Sequence, residues 1–582
     1  MVRWITHLLL CVAAIGFVGG CGERDVRDGE GRAPAAEVPD ARAADAAIRR
    51  AMADSGSWPS YGRDYTNRRF SPLRQITPAN AGQLDLAWKY ETGIHQAFET
   101  SAVVAGGVMY FSTPLNHVVA LDAATGQKKW EYAHEYEGPT VHCCGPVNRG
   151  IAVYGGRVYM GALDARLVAL DAESGKKVWD VRVGDNTKGY ALNGPPVAAA
   201  GKVIIGISGA EYGIRGYVTA YDAASGDQIW RFYTIPSPEE GGWWGEWAPN
   251  DPFGTPLHRD IAREKAESAK TADAWQRGGG SVWQAPAIDT ALGLVIFNVG
   301  NPSPDLNGAV RPGDNLYTNA IVAVGLDDGK HRWHFQTIPH DVWDLDAASP
   351  VVLVDVPGEG GGTVPAVAHA GKTGWVYVLD RKSGKPIRRS DAFVPQANMF
   401  AQPTVKGVRM LPGANGGSEW SPTAFSPQTG YLYVLALHQP MLYKVADEPY
   451  RPPAMWLGGA FVSTGEPQYG QFVAVDLGSG KVVWRNKVKD PMIGGALATA
   501  GGVVFTGTAD RQVLAVDAKS GKQVWSYKAD GGVNAPPISY AVHGRQFVAV
   551  AAGGNYQLNT PRNDDLLVFA LPGGRGQAEA AQ

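Results

Sequence analysis

The stretch Arg166-Leu167-Val168-Ala169-Leu170-Asp171-Ala172-Glu173-Ser174-Gly175-Lys176-Lys177-Val178-Trp179 decides the fold. Its apolar first part reads as a strand, Asp171 to Gly175 as a tight turn, and Lys177-Val178-Trp179 as the returning strand. The same pattern, Ala-x-Asp, three residues, Gly, three residues, Trp, recurs around Asp122 and Trp130, Asp222 and Trp230, Asp476 and Trp484, and Asp517 and Trp525. A variant ends at Gly329 and Trp333, and another at Gly384, where Arg388 replaces the tryptophan. The marks fall about fifty residues apart, or at twice that spacing. Repeats of this length made of short strands describe an all-β propeller. The span from Trp130 to Trp525 holds about eight units, with Trp88 marking the first strand, so an eight-bladed β-propeller with tryptophan-docking motifs is expected. Tryptophans at a fixed phase are read as staples between neighbouring blades rather than as cofactor contacts.

Composition agrees with that reading. The 582 residues carry 53 Lys+Arg against 56 Asp+Glu, a net charge of −3, which argues against a nucleic-acid-binding surface. Gly 74 and Pro 39 mark a turn-rich chain, and 10% aromatic content excludes a disordered one.

Residues 1–20 have the layout of a secretory signal peptide, with Arg3, an apolar run from Leu8 to Ile15, and Val18-Gly19-Gly20 before Cys21. Small residues directly before a cysteine resemble the lipobox of bacterial lipoproteins, which implies cleavage before Cys21 and a lipid on that residue. A plain signal peptide with an incidental cysteine is the alternative. Residues 21–55 are expected to be a flexible tether, 56–572 the propeller and 573–582 a disordered tail. The expected location is the periplasm, with a membrane contact through the N-terminal lipid only. There is no Cys-x-x-Cys-His, so the chain lacks a c-type haem attachment site.

Between the repeats lie segments that a bare scaffold does not need. In His142-Cys143-Cys144-Gly145-Pro146-Val147-Asn148-Arg149-Gly150, two adjacent cysteines sit in an exported domain. They are either free thiols or bonded to each other in a tight ring. Further segments are Ser208-Gly209-Ala210-Glu211-Tyr212-Gly213, Gly278-Gly279-Gly280-Ser281-Val282-Trp283, Gly300-Asn301-Pro302 and Pro339-His340-Asp341-Val342-Trp343-Asp344-Leu345-Asp346.

Together these segments resemble the methanol and ethanol quinoprotein dehydrogenases, enzymes that use pyrroloquinoline quinone (PQQ). The resemblance runs from about Tyr61 to Pro572. It implies that Cys143 and Cys144 form a vicinal disulfide on one face of the quinone and that Trp283 stacks on the other. It places Glu99, Arg149, Asn193, Ser208, Gly209, Ala210, Lys372 and Trp420 at the cofactor. Glu211, Asn301, Asp344 and Asp346 become the metal ligands, an all-oxygen set that suits Ca²⁺. Asp346 raises a lanthanide ion as the alternative. Asn193 stands where the alcohol enzymes usually have threonine, and Glu419 where several have asparagine.

The activity implied is oxidation of an alcohol to an aldehyde or ketone, with Asp344 and Lys372 as catalytic residues and a separate cytochrome c as electron acceptor. Two irregular insertions, 239–275 with Trp243, Trp244 and Trp247, and 441–467, are expected to roof the substrate pocket. A PQQ-dependent sugar or polyol dehydrogenase and a non-catalytic lipoprotein propeller scaffold are the other readings.

Overall fold

The computed structural model describes residues 41–358 and 360–573. Among them, seven four-stranded sheets and one five-stranded sheet make eight blades. In chain order these are blade 1 (103–133), blade 2 (152–182), blade 3 (197–233), blade 4 (287–336), blade 5 (352–389), blade 6 (424–488), blade 7 (496–528) and blade 8 (538–570). Blade 8 takes its outer strand from Asp85–Glu91, which pairs antiparallel with Asp565–Ala570 and puts Trp88 opposite Val568. The two ends of the domain thus close the ring.

The strands form where the sequence alternates apolar and β-branched residues. The middle strands are buried on both faces, as in Arg166–Asp171, while outer strands such as Asp85–Glu91 alternate exposed and half-buried. The tryptophan repeat explains how blade meets blade. Trp130 Nε1 donates to the Ala172 carbonyl at 3.1 Å, Trp230 Nε1 to Leu326 at 3.1 Å and Trp333 Nε1 to Arg381 at 3.2 Å, each in the next repeat. Trp525 Nε1 donates to the Leu84 carbonyl at 3.1 Å, across the closure. The indoles of Trp130, Trp230 and Trp333 also lie on the next turn's glycine. A Cβ on Gly175 would stand 2.5 Å from Trp130, and φ there is +71°, so glycine is required twice over. Where Arg388 replaces the tryptophan, its Nη1 donates to the Leu477 carbonyl at 2.9 Å and the same link survives.

The N-terminal boundary differs from expectation. Residues expected to be tether include helix α1 (Ala41–Ala53), which buries Ala44 and Ile48 in the core shared by blades 2 and 3. Tyr154 Oη donates to Asp45 Oδ1 at 2.7 Å, and the Ala200 amide donates to the same oxygen at 2.9 Å. The alanine content read as flexible is also strongly helix-forming, and the i, i+4 pair supplies one apolar stripe. The signal peptide, the lipid on Cys21, the earlier part of the tether and most of the expected tail lie outside the described residues. Among the described residues, no helix is long and apolar enough to cross a membrane.

Candidate active site

One face of the ring is built from the links between blades and from the loops between second and third strands. Cys143 and Cys144 lie on the link from blade 1 to blade 2, Asn193 on the next link, and Ser208 to Glu211 on a loop of blade 3. Asp344 and Asp346 lie on the link from blade 4 to blade 5, and Lys372 on a loop of blade 5. These segments converge on a cavity of about 660 Å³. Its wall includes Cys143, Cys144, Arg149, Asn193, Ser208, Gly209, Glu211, Trp283, Asp344, Asp346 and Lys372.

Cys143 and Cys144 are bonded to each other, with Cα atoms 3.8 Å apart, and Cys144 adopts φ +64°. Trp283 belongs to the same wall, as does the Arg149 guanidinium, 5.1 Å from the Trp283 ring centre and 4.6 Å from that of Trp420. Arg149 Nη2 stands 3.0 Å from Glu99 Oε2, and Asn555 Nδ2 donates to Glu99 Oε1 at 2.7 Å. Burial pushes the Glu99 carboxyl up to about 7, against the pull of Arg149 and Asn555. Glu99 and Trp420 thus reach the cavity through Arg149, which both contact. Ala210 does the same through its amide, which donates to Ser281 Oγ at 2.8 Å.

The acidic side is set by one turn. Asp341 Oδ1 accepts from the Trp343 amide and Oδ2 from the Leu345 amide, both at 3.0 Å. That brace holds Asp344 at φ +56°, a left-handed conformation uncommon for aspartate, with its side chain 21% exposed to the cavity. Asp346 is more deeply buried, and its Oδ1 accepts from the Asn301 amide at 3.0 Å. Lys372 Nζ stands 3.4 Å from Asp344 Oδ2, 3.9 Å from Asp346 Oδ1 and 3.8 Å from Glu419 Oε1. Burial works against its charge, but these three carboxylates more than compensate and keep it an ammonium. Burial raises Asp344 well above the usual carboxylate range. Lys372 opposes the shift, and Asp346 and Asp305 add to it. Among the described residues, no three His, Cys, Asp or Glu side chains stand close enough to hold an ion alone.

Sequence reading did not single out Asp305, a buried cavity carboxylate four residues after Asn301. Nor did it place the apolar roof residues individually. Met441, Met455, Leu457 and Phe461 come from the insertion in blade 6, as expected of 441–467. The insertion is tied down by backbone bonds from the Trp456 amide to the Glu211 carbonyl (2.7 Å) and from the Leu306 amide to the Leu457 carbonyl (2.9 Å). The other insertion does not roof the cavity. Trp243 packs with Ile235 and Ala274, and Trp244 stacks on Trp247, so these indoles form a separate small core.

The donor set fits a flat, polyanionic, carbonyl-bearing ring. Arg149 Nε and Nη1, Asn193 Oδ1 and Trp420 Nε1 are buried without a hydrogen-bond partner. Buried polar atoms of that kind are normally matched, so they point to a polar ligand between the disulfide and the indoles. A propeller cavity lined by a vicinal disulfide, an indole and these polar atoms is suited to a flat anionic cofactor of the dehydrogenase kind.

Comparison with known proteins narrows the class. The family described as "Glucose/ethanol/alcohol dehydrogenase, beta-propeller domain" matches residues 58–399 and 446–548. A quinohemoprotein alcohol dehydrogenase of Comamonas testosteroni is 36% identical over 537 residues, covering 87% of this chain and 74% of that protein. A lanthanide-dependent methanol dehydrogenase of Methylorubrum extorquens is 34% identical, covering 84% and 86%. The solved structure of a quinohemoprotein alcohol dehydrogenase from Pseudomonas putida HK5 superposes with a TM-score of 0.81 at 34% identity, covering 91% of this chain and 82% of that one. The chain belongs to the PQQ-dependent alcohol dehydrogenase family.

Proposed function

We propose that this dehydrogenase acts on apolar alcohols, gives aldehydes or ketones, and passes its electrons to a separate cytochrome c. The observation that carries the substrate class is the roof: Met441, Met455, Leu457 and Phe461 face an acidic floor across one cavity. An alkyl or aryl group suits the first surface, and a hydroxyl the second. The 582 residues carry no Cys-x-x-Cys-His, so within them no c-type haem site takes the electrons, and a cytochrome c outside them is our proposed acceptor. The signal-peptide layout and the small residues before Cys21 support periplasmic export with a lipid on that cysteine as part of this reading.

Cys143–Cys144 and Trp283 would grip PQQ, with Arg149 meeting a carboxylate of it and Asn193, Ser208 and Gly209 edging it. Glu211, Asn301, Asp344 and Asp346 would hold a cation, Ca²⁺ or a lanthanide ion, with oxygen donors only. When bound, PQQ supplies the two-electron oxidising power that the amino acids lack. Asp344 would take the hydroxyl proton of the alcohol, a role supported by its partly exposed carboxylate on the wall of the same cavity as the apolar side chains. Lys372 keeps a positive charge beside that carboxylate and favours negative charge arising on neighbouring oxygens.

A dye-reduction assay on the PQQ-loaded protein tests the substrate class. Straight-chain and aromatic alcohols should give kcat/KM values at least about tenfold above those for aldoses and polyols. Equal or better use of aldoses would replace this reading with a sugar dehydrogenase.

A further inference from the structure

Asp305 has no part in the chemistry above. It is 2% exposed, lies on the cavity wall, and its Oδ1 has no hydrogen-bond partner. Its place is fixed on both sides. Arg311 Nε donates to the Pro304 carbonyl at 2.9 Å and Nη2 to the Asp305 carbonyl at 3.1 Å, so the guanidinium clamps the backbone and not the carboxylate. The next residue, Leu306, is bonded through its amide to the Leu457 carbonyl of the roof. The carboxylate therefore shares the cavity wall with Glu211 and Asp346, the acidic groups that act on it most strongly.

Charge in the cavity is out of balance. Glu211, Asp305, Asp344, Asp346 and Glu419 line it, against Lys372 and an Arg149 that stands 3.0 Å from Glu99. Burying that many carboxylates is costly unless strong positive charge enters with the ligands.

We infer that Asp305 is a further acidic residue of the cation site and tilts the choice of ion toward a trivalent one. The inference rests on the cation site proposed above and deepens it. The attraction between a carboxylate and an ion scales with the ion's charge, so one more carboxylate helps a trivalent ion more than a divalent one. It also offsets more of the larger dehydration cost of the trivalent ion.

The test is calorimetric. PQQ-loaded protein, stripped with EDTA, is titrated with CaCl₂ and with LaCl₃. Asp305→Asn should weaken La³⁺ binding by about tenfold or more and Ca²⁺ binding by distinctly less, and Asp305→Glu should restore most of the La³⁺ affinity. Equal losses for the two ions, or no loss for either, would overturn the inference. If Asp305→Asn does not fold, Asp305→Ser gives the same neutral comparison in a smaller side chain. Glu211→Gln separates the two levels: it should weaken both ions strongly. Unchanged binding there would show that the cation sits elsewhere, which is a failure of the site and not of Asp305 alone.

Discussion

Lys372 holds Asp344 at two points: its ammonium stands 3.4 Å from Asp344 Oδ2 and donates to the Asp344 carbonyl at 3.0 Å. The proposed proton acceptor is thereby fixed in backbone and in side chain by one neighbour. Asp344→Asn keeps the shape and removes the base. We expect kcat to fall by about 10²–10⁴-fold while PQQ affinity, followed by absorbance titration, stays within about threefold of the parent. A variant turning over at the parent rate would remove Asp344 from proton transfer.

Glu99 carries a pH dependence that can be isolated. Its carboxyl is raised from 4.5 to about 7, mainly by burial. The folded state thus binds this proton more tightly than the unfolded chain. Its contribution is complete below about 4.5 and is lost as pH rises toward 7. The loss is about 3 kcal/mol at full ionisation. In cofactor-free protein, Glu99→Gln should flatten the fall in urea-unfolding stability across that window. An unchanged slope would show that Glu99 ionises freely.

The disulfide is predicted to serve the cofactor more than the fold. Cys143 and Cys144 are neighbours in sequence, so their bond closes no long loop and adds little to chain entropy. Replacing both with alanine should leave the urea midpoint nearly unchanged and lower PQQ affinity about tenfold. Unaltered PQQ affinity would take the pair off the cofactor face.

The inter-blade staples should carry stability instead. Trp230 is 7% exposed and bonds across to Leu326. Trp230→Ala should cost about 3–5 kcal/mol in urea unfolding. Arg388→Ala, which loses one hydrogen bond at the same place in its blade, should cost only about 1 kcal/mol.

The ring was readable because its repeat places one large indole and one glycine at fixed distances, and both have a single structural use. The Cys143-Cys144 pair was readable because two adjacent cysteines in an exported domain have few uses, and the Asp344-x-Asp346 segment only through its resemblance to a known family, since single acids look like turn residues. Helix α1 was missed because alanine serves tethers and helices alike, and only docking of Ala44 and Ile48 on blade 2 decides between them. Asp305 was missed because one acid in a proline-containing loop looks like any turn residue; its meaning comes from segments far apart in sequence. Trp243, Trp244 and Trp247 misled because aromatic residues in an insertion fill a local core as readily as they line a pocket.

Blade 8 joins Asp85–Glu91 to Asp565–Ala570, so a strand from the start of the domain waits for the last one. Translation stopped short of that final strand would leave the circle open, with bare sheet edges ready to pair with other chains. Truncated products should therefore aggregate or be degraded, and cofactor loading becomes an event that follows release of the finished polypeptide.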